Sequence, residues 1–173
     1  MFYSTTHQSP VGAIKLASSG GSLVGLWTEG QKYHGAGLHG TMVQKKEIPL
    51  FFTVKRWLER YFSGDRPDIC ELPLAPIGGE FPQKVWKILR GIPYGEVITY
   101  GDIAKQINCK SAQAVGGAVG HNPISIIIPC HRVVGSNGSL TGFSGGVQMK
   151  IKLLELEGVD MSKFYIPKKG TAL

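Results

Sequence analysis

The spacing of apolar residues changes period along this chain, and that change limits the fold more than any other feature. Over the first 30 residues apolar and polar side chains alternate, the two-residue period of half-buried strands. Turn-forming runs at Ser9-Pro10-Val11-Gly12 and Gly20-Gly21-Ser22 divide the stretch into a β-meander of about Phe2–His7, Ala13–Ser18 and Leu23–Thr28. Residues 30–48 are glycine-rich and polar, which predicts a surface loop. From Leu50 to Phe62 the period becomes helical, with Leu50, Val54, Trp57, Leu58 and Tyr61 on one face and Gly64 as the stop. The run Leu72-Pro73-Leu74-Ala75-Pro76-Ile77-Gly78-Gly79 reads as an interdomain linker. We therefore expect an α/β scaffold domain over 1–78 and a second domain over 79–173.

The second half is patterned for helices. Phe81–Arg90 is amphipathic, with Phe81, Val85, Trp86 and Leu89 on one face, and Ile92-Pro93-Tyr94-Gly95 is a turn. Thr99, with Asp102 three residues on, makes a capping box for a helix from Tyr100 to about Ile107. After the turn Asn108-Cys109-Lys110, Ser111 caps a third helix running through Val119, and the pair reads as a helix-turn-helix. A buried strand is expected over Ile124–Ile128, then a glycine-rich loop over Gly135–Gly146, a last helix over Met149–Glu157, and a loosely held basic tail from Lys163.

Charge follows the same division. The chain carries a net +7, with 8 basic and 6 acidic residues through Gly78 and 11 and 6 afterwards, so +5 of it lies in the second half. A basic balance suits an anionic partner but is weak support alone. No apolar run approaches the length of a membrane span, and Met1-Phe2-Tyr3-Ser4 lacks the features of a signal peptide, so a site of action inside the cell is expected. Cys70, Cys109 and Cys130 form no CxxC pair and are expected to be free thiols. Among His7, His34, His39 and Cys70 no close pair has metal-ligand spacing, so no structural zinc is expected.

Two segments are unusual. The third helix of the second half carries Gly116 and Gly117 together, each costing about 1 kcal/mol relative to alanine inside a helix. Close packing against a neighbouring helix is one reason for them, and close backbone approach to a DNA groove is another. The second is Cys130, set after Ile126-Ile127-Ile128 and between Pro129 and His131. A thiol attacks only as thiolate, and His131 and Arg132 are at hand as base and positive field. A buried cysteine after a strand is more often inert, and composition and spacing alone leave its role open.

Pro129-Cys130-His131-Arg132-Val133-Val134 resembles the active-site signature of the O6-alkylguanine-DNA alkyltransferases, the methylated-DNA–protein-cysteine methyltransferases. The resemblance runs from Phe81 to Gly158 through Ile92-Pro93-Tyr94-Gly95-Glu96-Val97, Ala114-Val115-Gly116-Gly117-Ala118, Asn122-Pro123, Ser144-Gly145-Gly146 and Leu153-Leu154-Glu155-Leu156-Glu157-Gly158. In the first domain it is looser. The resemblance implies an α+β fold: a small antiparallel-sheet-plus-helix domain of ribonuclease H-like type, then a winged helix-turn-helix-like domain with the reactive cysteine. It implies suicidal DNA repair, in which Cys130 takes the alkyl group from O6-alkylguanine, and from O4-alkylthymine, in a single turnover after base flipping.

In that scheme Cys130 is the nucleophile, His131 a base acting through water, and Glu157 the carboxylate orienting the imidazole. Asn122 ties the recognition helix to the cysteine turn, and Tyr100 helps rotate the nucleotide and donates to the departing base. Ser144 bonds near O6, the Val133 carbonyl reads the exocyclic amine, and Phe143 stacks in the pocket. Ser111, Ala112, Gln113, Ala114, Gly116, Gly117 and Arg132 face DNA. No cofactor, metal, membrane or stable protein partner is implied; the partner is double-stranded DNA carrying the lesion, met in a cytoplasmic, nucleoid or nuclear setting by a monomer. Read without the resemblance, Tyr100 is a packing aromatic, Glu157 an exposed helix residue and Asn122 a turn residue.

Two positions depart from the family pattern. Gln113 stands where an arginine that enters the base stack is usual, and Phe143 where a tyrosine is common. Glutamine lacks the guanidinium plane, so weaker binding or slower flipping is expected. The rival readings are a lesion-binding flag protein of the same fold, a Cys130–His131 hydrolase and a helix-turn-helix regulator. The first is opposed by the presence of Cys130, the second by the lack of an identifiable oxyanion hole, and the third by the scarcity of long side chains on the recognition helix.

Overall fold

The computed structural model describes residues 1–168. Three strands, β1 (Phe2–Ser9), β2 (Gly12–Ser19) and β3 (Ser22–Thr28), form the expected meander, with Tyr3 opposite Ser18 and Leu16 opposite Leu26. Gly12 and Gly21 take positive φ in the two hairpin turns. A fourth strand, β4 (Met42–Gln44), lies parallel to β1 within the stretch expected to be loop, giving the sheet order β3-β2-β1-β4. Three residues show no usable period. The edge of β1 places them, through Phe2 N–H donating to the Thr41 carbonyl and Lys45 N–H to that of Ser4.

Helix α1 (Pro49–Phe62) begins with proline at its first position, where no intrahelical N–H is needed, and buries Phe51, Val54, Trp57, Leu58 and Tyr61. These residues share one apolar core with Ile14, Leu16, Leu23 and Leu26 of the sheet and with Val85, Trp86 and Leu89 of α2 (Glu80–Leu89). The core is therefore continuous across both halves. The linker is bound rather than loose, since Leu23 N–H donates to Pro73 and Ala75 N–H returns to Leu23. Gly78 is required by packing: a Cβ there would lie 2.4 Å from the Trp86 ring.

In the second half, β5 (Ile98–Thr99) leads into α3 (Tyr100–Gln106) through a formed capping box, with Asp102 N–H donating to Thr99 Oγ1 at 3.0 Å. Asn108, at φ 52°, ends α3, and bonds from Asn108 N–H to Lys105 and from Cys109 N–H to Ala104 satisfy the last carbonyls. Helix α4 (Ala112–Gly120) is capped by Ser111 and packs on α2 and α3, with Trp86 Nε1 donating to the Ala118 carbonyl at 2.9 Å.

Ile124–Ile128 is not a strand. Ile124 makes one bridge to Leu26, after which the chain folds on itself, with Ile128 N–H donating to Ile124 and Ile126 held at φ 71°. The run is apolar because it is enclosed on all sides, a state that sequence period cannot separate from a strand. A single 3₁₀ turn, Cys130–Arg132, follows, then β6 (Val133–Val134), parallel to β5. Helix α5 (Val147–Leu156) closes the domain. The described part of the tail is tied down, since Leu140 N–H donates to Tyr165 and Tyr165 N–H to Gly138. The expected loose tail from residue 169 on lies outside the described residues. Among the described residues no helix is long and apolar enough to cross a membrane.

Candidate active site

Cys130 starts the 3₁₀ turn rather than ending a strand and is only 2% exposed. Burial raises its pKa, while the polar side chains of Asn122 and Ser125 and the charge of Lys150 pull it down. Asn122, buried two residues past the end of α4, binds the folded segment before the cysteine. Its Nδ2 donates to the Ile128 carbonyl at 2.8 Å and its Oδ1 accepts from Ile124 N–H at 3.0 Å. This makes Asn122 the clasp of the loop that carries the thiol.

His131, fully buried, points away from that clasp toward the end of α5. Its Nε2 meets Glu157 Oε1 at 2.7 Å, and its Nδ1 is buried with no hydrogen-bond partner among the described residues. Desolvation lowers the imidazole pKa despite Glu157, so the ring is neutral at physiological pH. Glu157 accepts five hydrogen bonds. Oε1 takes the Tyr61 hydroxyl at 2.7 Å and one Arg132 nitrogen at 2.8 Å besides His131, and Oε2 takes Arg132 Nε at 2.8 Å and Gly95 N–H at 3.1 Å. Burial opposes its ionisation, but the His131 and Arg132 bonds prevail and hold the carboxyl well below the usual carboxylate range. The helix C-terminus is an unfavourable place for this charge, and the donor set offsets it.

Arg132, expected at the DNA surface, is instead buried: it pairs with Glu157, donates to the Ile92 carbonyl at 2.6 Å and lies over the Tyr94 ring. The cation whose charge favours the thiolate is Lys150 of α5. Its Nζ donates to the carbonyls of Val133 and, at 2.9 Å, Thr141, and burial lowers its pKa to about 8. The Val133 carbonyl, expected to read a base, thus already holds a donor. Tyr100, 5% exposed, spends its hydroxyl on the Thr141 carbonyl at 2.8 Å. Lys150 and Tyr100 together clamp the strand-to-loop segment 133–141.

Sequence reasoning missed Lys150, Tyr61 and Gly95. The signal for the first was present: Lys150, Leu153, Leu154 and Glu157 stand at i, i+3, i+4 and i+7, one buried stripe that begins with a cation and ends with an anion. Tyr61 was assigned only to the core face of α1, and its hydroxyl reaches across 96 residues of sequence. Phe143 and Ser144 stay half-buried on the loop before α5, where Lys32 N–H donates to the Ser144 carbonyl at 3.1 Å. Ser111, Ala112, Gln113 and Ala114 are exposed at the start of α4, Gly117 faces open space, and Gly116 is buried on the packed side.

A mixed sheet-plus-helix half joined to a helix-turn-helix half, with a cysteine buried beside a His–Glu pair, defines a two-domain protein with a prepared thiol. Two family models match: the ribonuclease-like domain of 6-O-methylguanine DNA methyltransferase over residues 1–76 and its DNA binding domain over residues 80–159. The methylated-DNA–protein-cysteine methyltransferase of Haemophilus influenzae is 44% identical over 158 residues, 91% of this chain and 87% of that protein. The one from Methanosarcina acetivorans is 44% identical over 167 residues, covering 90% and 98%. The crystal structure of the Mycobacterium tuberculosis O6-methylguanine methyltransferase superposes with a TM-score of 0.79 at 41% identity, covering 98% of this chain and 97% of that one. A second structure from that organism, of OGT in complex with DNA, gives 0.78 at 40% identity, covering 94% of each chain. The chain belongs to the 6-O-methylguanine DNA methyltransferase family.

Proposed function

We propose that this protein repairs DNA by moving the alkyl group of O6-alkylguanine onto Cys130. Family membership makes it a DNA-repair methyltransferase of the methylated-DNA–protein-cysteine type, with DNA as its partner. The lesion, the residue roles and a monomer acting wherever the genome lies are our reading. The observation that carries it is the arrangement around Cys130: a buried thiol that Lys150 favours as thiolate, followed in the chain by a histidine whose Nε2 is fixed on a carboxylate.

The step balances as a displacement. The proton of the Cys130 thiol passes by way of a water molecule to His131 Nδ1, the ring nitrogen with no hydrogen-bond partner among the described residues. The sulfur attacks the alkyl carbon, the C–O6 bond breaks, and its electron pair leaves with the guanine. Lys150 supports the thiolate, and Glu157 stabilises the imidazolium as it forms. Tyr100 donates to the departing base by releasing the Thr141 carbonyl, and Ser144 and Phe143 line the base. The thioether has no easy route back, so the protein acts once.

Duplex carrying O6-methylguanine is incubated with the protein and with Cys130→Ala, and intact masses are recorded. Wild type is expected to gain one methylene and the variant nothing. Lesion-selective binding with no gain of mass would instead identify a flag protein, an outcome to which Gln113 is relevant.

A further inference from the structure

The segment that follows β3 carries a corner of the first half onto two functional segments of the second. Gln31 fixes one side of the corner. Its Oε1 accepts from Thr28 N–H at 3.0 Å, and its amide meets the buried Ser125 hydroxyl at 2.9 and 3.2 Å. His34 fixes the other side, edge-on to Trp27 of β3 with ring centroids 5.2 Å apart. Between these anchors stand Lys32 and Tyr33. Lys32 N–H donates to the Ser144 carbonyl at 3.1 Å, and the Tyr33 ring stacks on His121 with centroids 3.9 Å apart. His121 is the residue that ends α4, its Nδ1 2.7 Å from the Gly117 carbonyl.

Tyr33 is held at φ 59°, in the left-handed region that a β-carbon disfavours. Its ring is 47% exposed, so burial in the core does not offset that strain. The contacts that do are the His121 stack and the bond from Ala36 N–H to the Tyr33 carbonyl at 2.9 Å. Ser144 is correspondingly dependent on the corner. Its carbonyl accepts from Lys32, and among the described residues Ser144 makes no other hydrogen bond. The chain before it is clamped at Thr141 by Tyr100 and Lys150, and order resumes at α5. With Gln31 and Tyr33 both fixed on the second half, the Lys32 N–H between them has one direction.

We infer that Tyr33 is a positioning residue for the transfer step: by stacking on His121 it aims the Lys32 N–H at Ser144 and so sets one wall of the base pocket. This rests on the reading that Ser144 and Phe143 line the lesion base. DNA affinity is a separate matter. The exposed residues Ser111 to Ala114 lie at the opposite end of α4, where the Ser111 hydroxyl accepts from Ala114 N–H at 3.1 Å.

The test is single-turnover methyl transfer against the concentration of O6-methylguanine duplex, which gives a saturating rate and a half-saturating concentration. Tyr33→Gly removes the ring and relieves the backbone, so its fold is kept. It should lower the saturating rate by about 5–20-fold and leave the half-saturating concentration within about 2-fold. Tyr33→Asn, which also suits that φ, should do the same, and Tyr33→Phe should keep the wild-type rate. His121→Ala also loses the bond to Gly117 and should cost at least as much, with no further loss in the Tyr33→Gly double variant. Native-state hydrogen exchange by NMR reads the contact itself. The amides of Lys32 and of Gly146, which donates to the Phe143 carbonyl, should exchange about 3–10-fold faster in Tyr33→Gly. An unchanged saturating rate, a loss confined to the half-saturating concentration, or unchanged exchange at Lys32 would each overturn the inference. Failure of wild type to take up methyl would instead overturn the proposed function, while the exchange rates still decide whether Tyr33 holds Ser144.

Discussion

The reactive turn and the recognition helix lie a few residues apart in sequence and are built on opposite plans. Around Cys130–Val134 every side chain with a charge is buried and multiply bonded, to the point that one carboxylate holds five donors. On the outer side of α4, Ala112, Ala114 and Gly117 offer almost no side chain, and the exposed Gln113 is uncharged. The contrast separates two tasks. The chemistry needs groups whose positions do not change when substrate arrives. A helix that must enter a groove gains from a thin surface that lets backbone and phosphate come close.

The comparison predicts unequal responses to substitution. The largest effect is expected from Glu157→Gln, which removes the counter-charge of Arg132 and weakens the acceptor that holds His131 Nε2–H. Breaking a buried pair costs on the order of 3–5 kcal/mol, and losing the base partner slows transfer by about 10²–10⁴-fold, read by urea unfolding and single-turnover assay. The same pair gives a pH signature. Both groups bind fewer protons folded than unfolded, because His131 sits below its ordinary 6.5 and Glu157 below the carboxylate range. Stability is therefore complete above pH 6.5 and falls as pH drops through it, with a second fall as Glu157 protonates. Glu157→Gln should remove the second fall.

Lys150→Met comes next. The thiolate loses its cation and two carbonyls lose a donor, so transfer at neutral pH should slow by about 10-fold or more while the pH midpoint of Cys130 alkylation by iodoacetamide rises. A variant with unchanged midpoint would place the lysine in structure alone.

Effects on α4 should be smaller and should appear in DNA binding rather than chemistry. Gln113→Arg adds one phosphate- and base-directed cation and should tighten lesion duplex by roughly 1–3 kcal/mol, with a salt slope steeper by about 1. The smallest effect is expected for Gly117→Ala. Its Cβ meets nothing within 4 Å, so folding should gain about 1 kcal/mol and DNA binding should weaken by a few-fold. A glycine kept only for helix packing would instead lose folding stability and leave DNA binding unchanged.

How far the sequence was legible depended on whether a signal was local. Strands β1–β3, helix α1 and both caps of the helix-turn-helix were readable because period and capping residues lie within a few positions of each other. β4 was not, being placed by its partner, and Ile124–Ile128 was misread because enclosure and pairing select the same residues. At the site, motif resemblance picked out Cys130, His131, Asn122 and Glu157, which the fold gathers. The same resemblance placed Arg132 among the residues facing DNA, and the structure buries it. Its burial depends on a carboxylate 25 residues away. Tyr61 carried no motif, since its partner lies across the domain boundary.

The Tyr61 hydroxyl on Glu157 also bears on how such a protein could change over generations. The two halves are inherited as a matched set, because one oxygen of the carboxylate is served by a residue from each. A descendant that lost its first 78 residues would leave that oxygen two of its three donors and uncover the part of the core that α1 covers. Selection would then act first on the positions facing Glu157, well before it touched the cysteine.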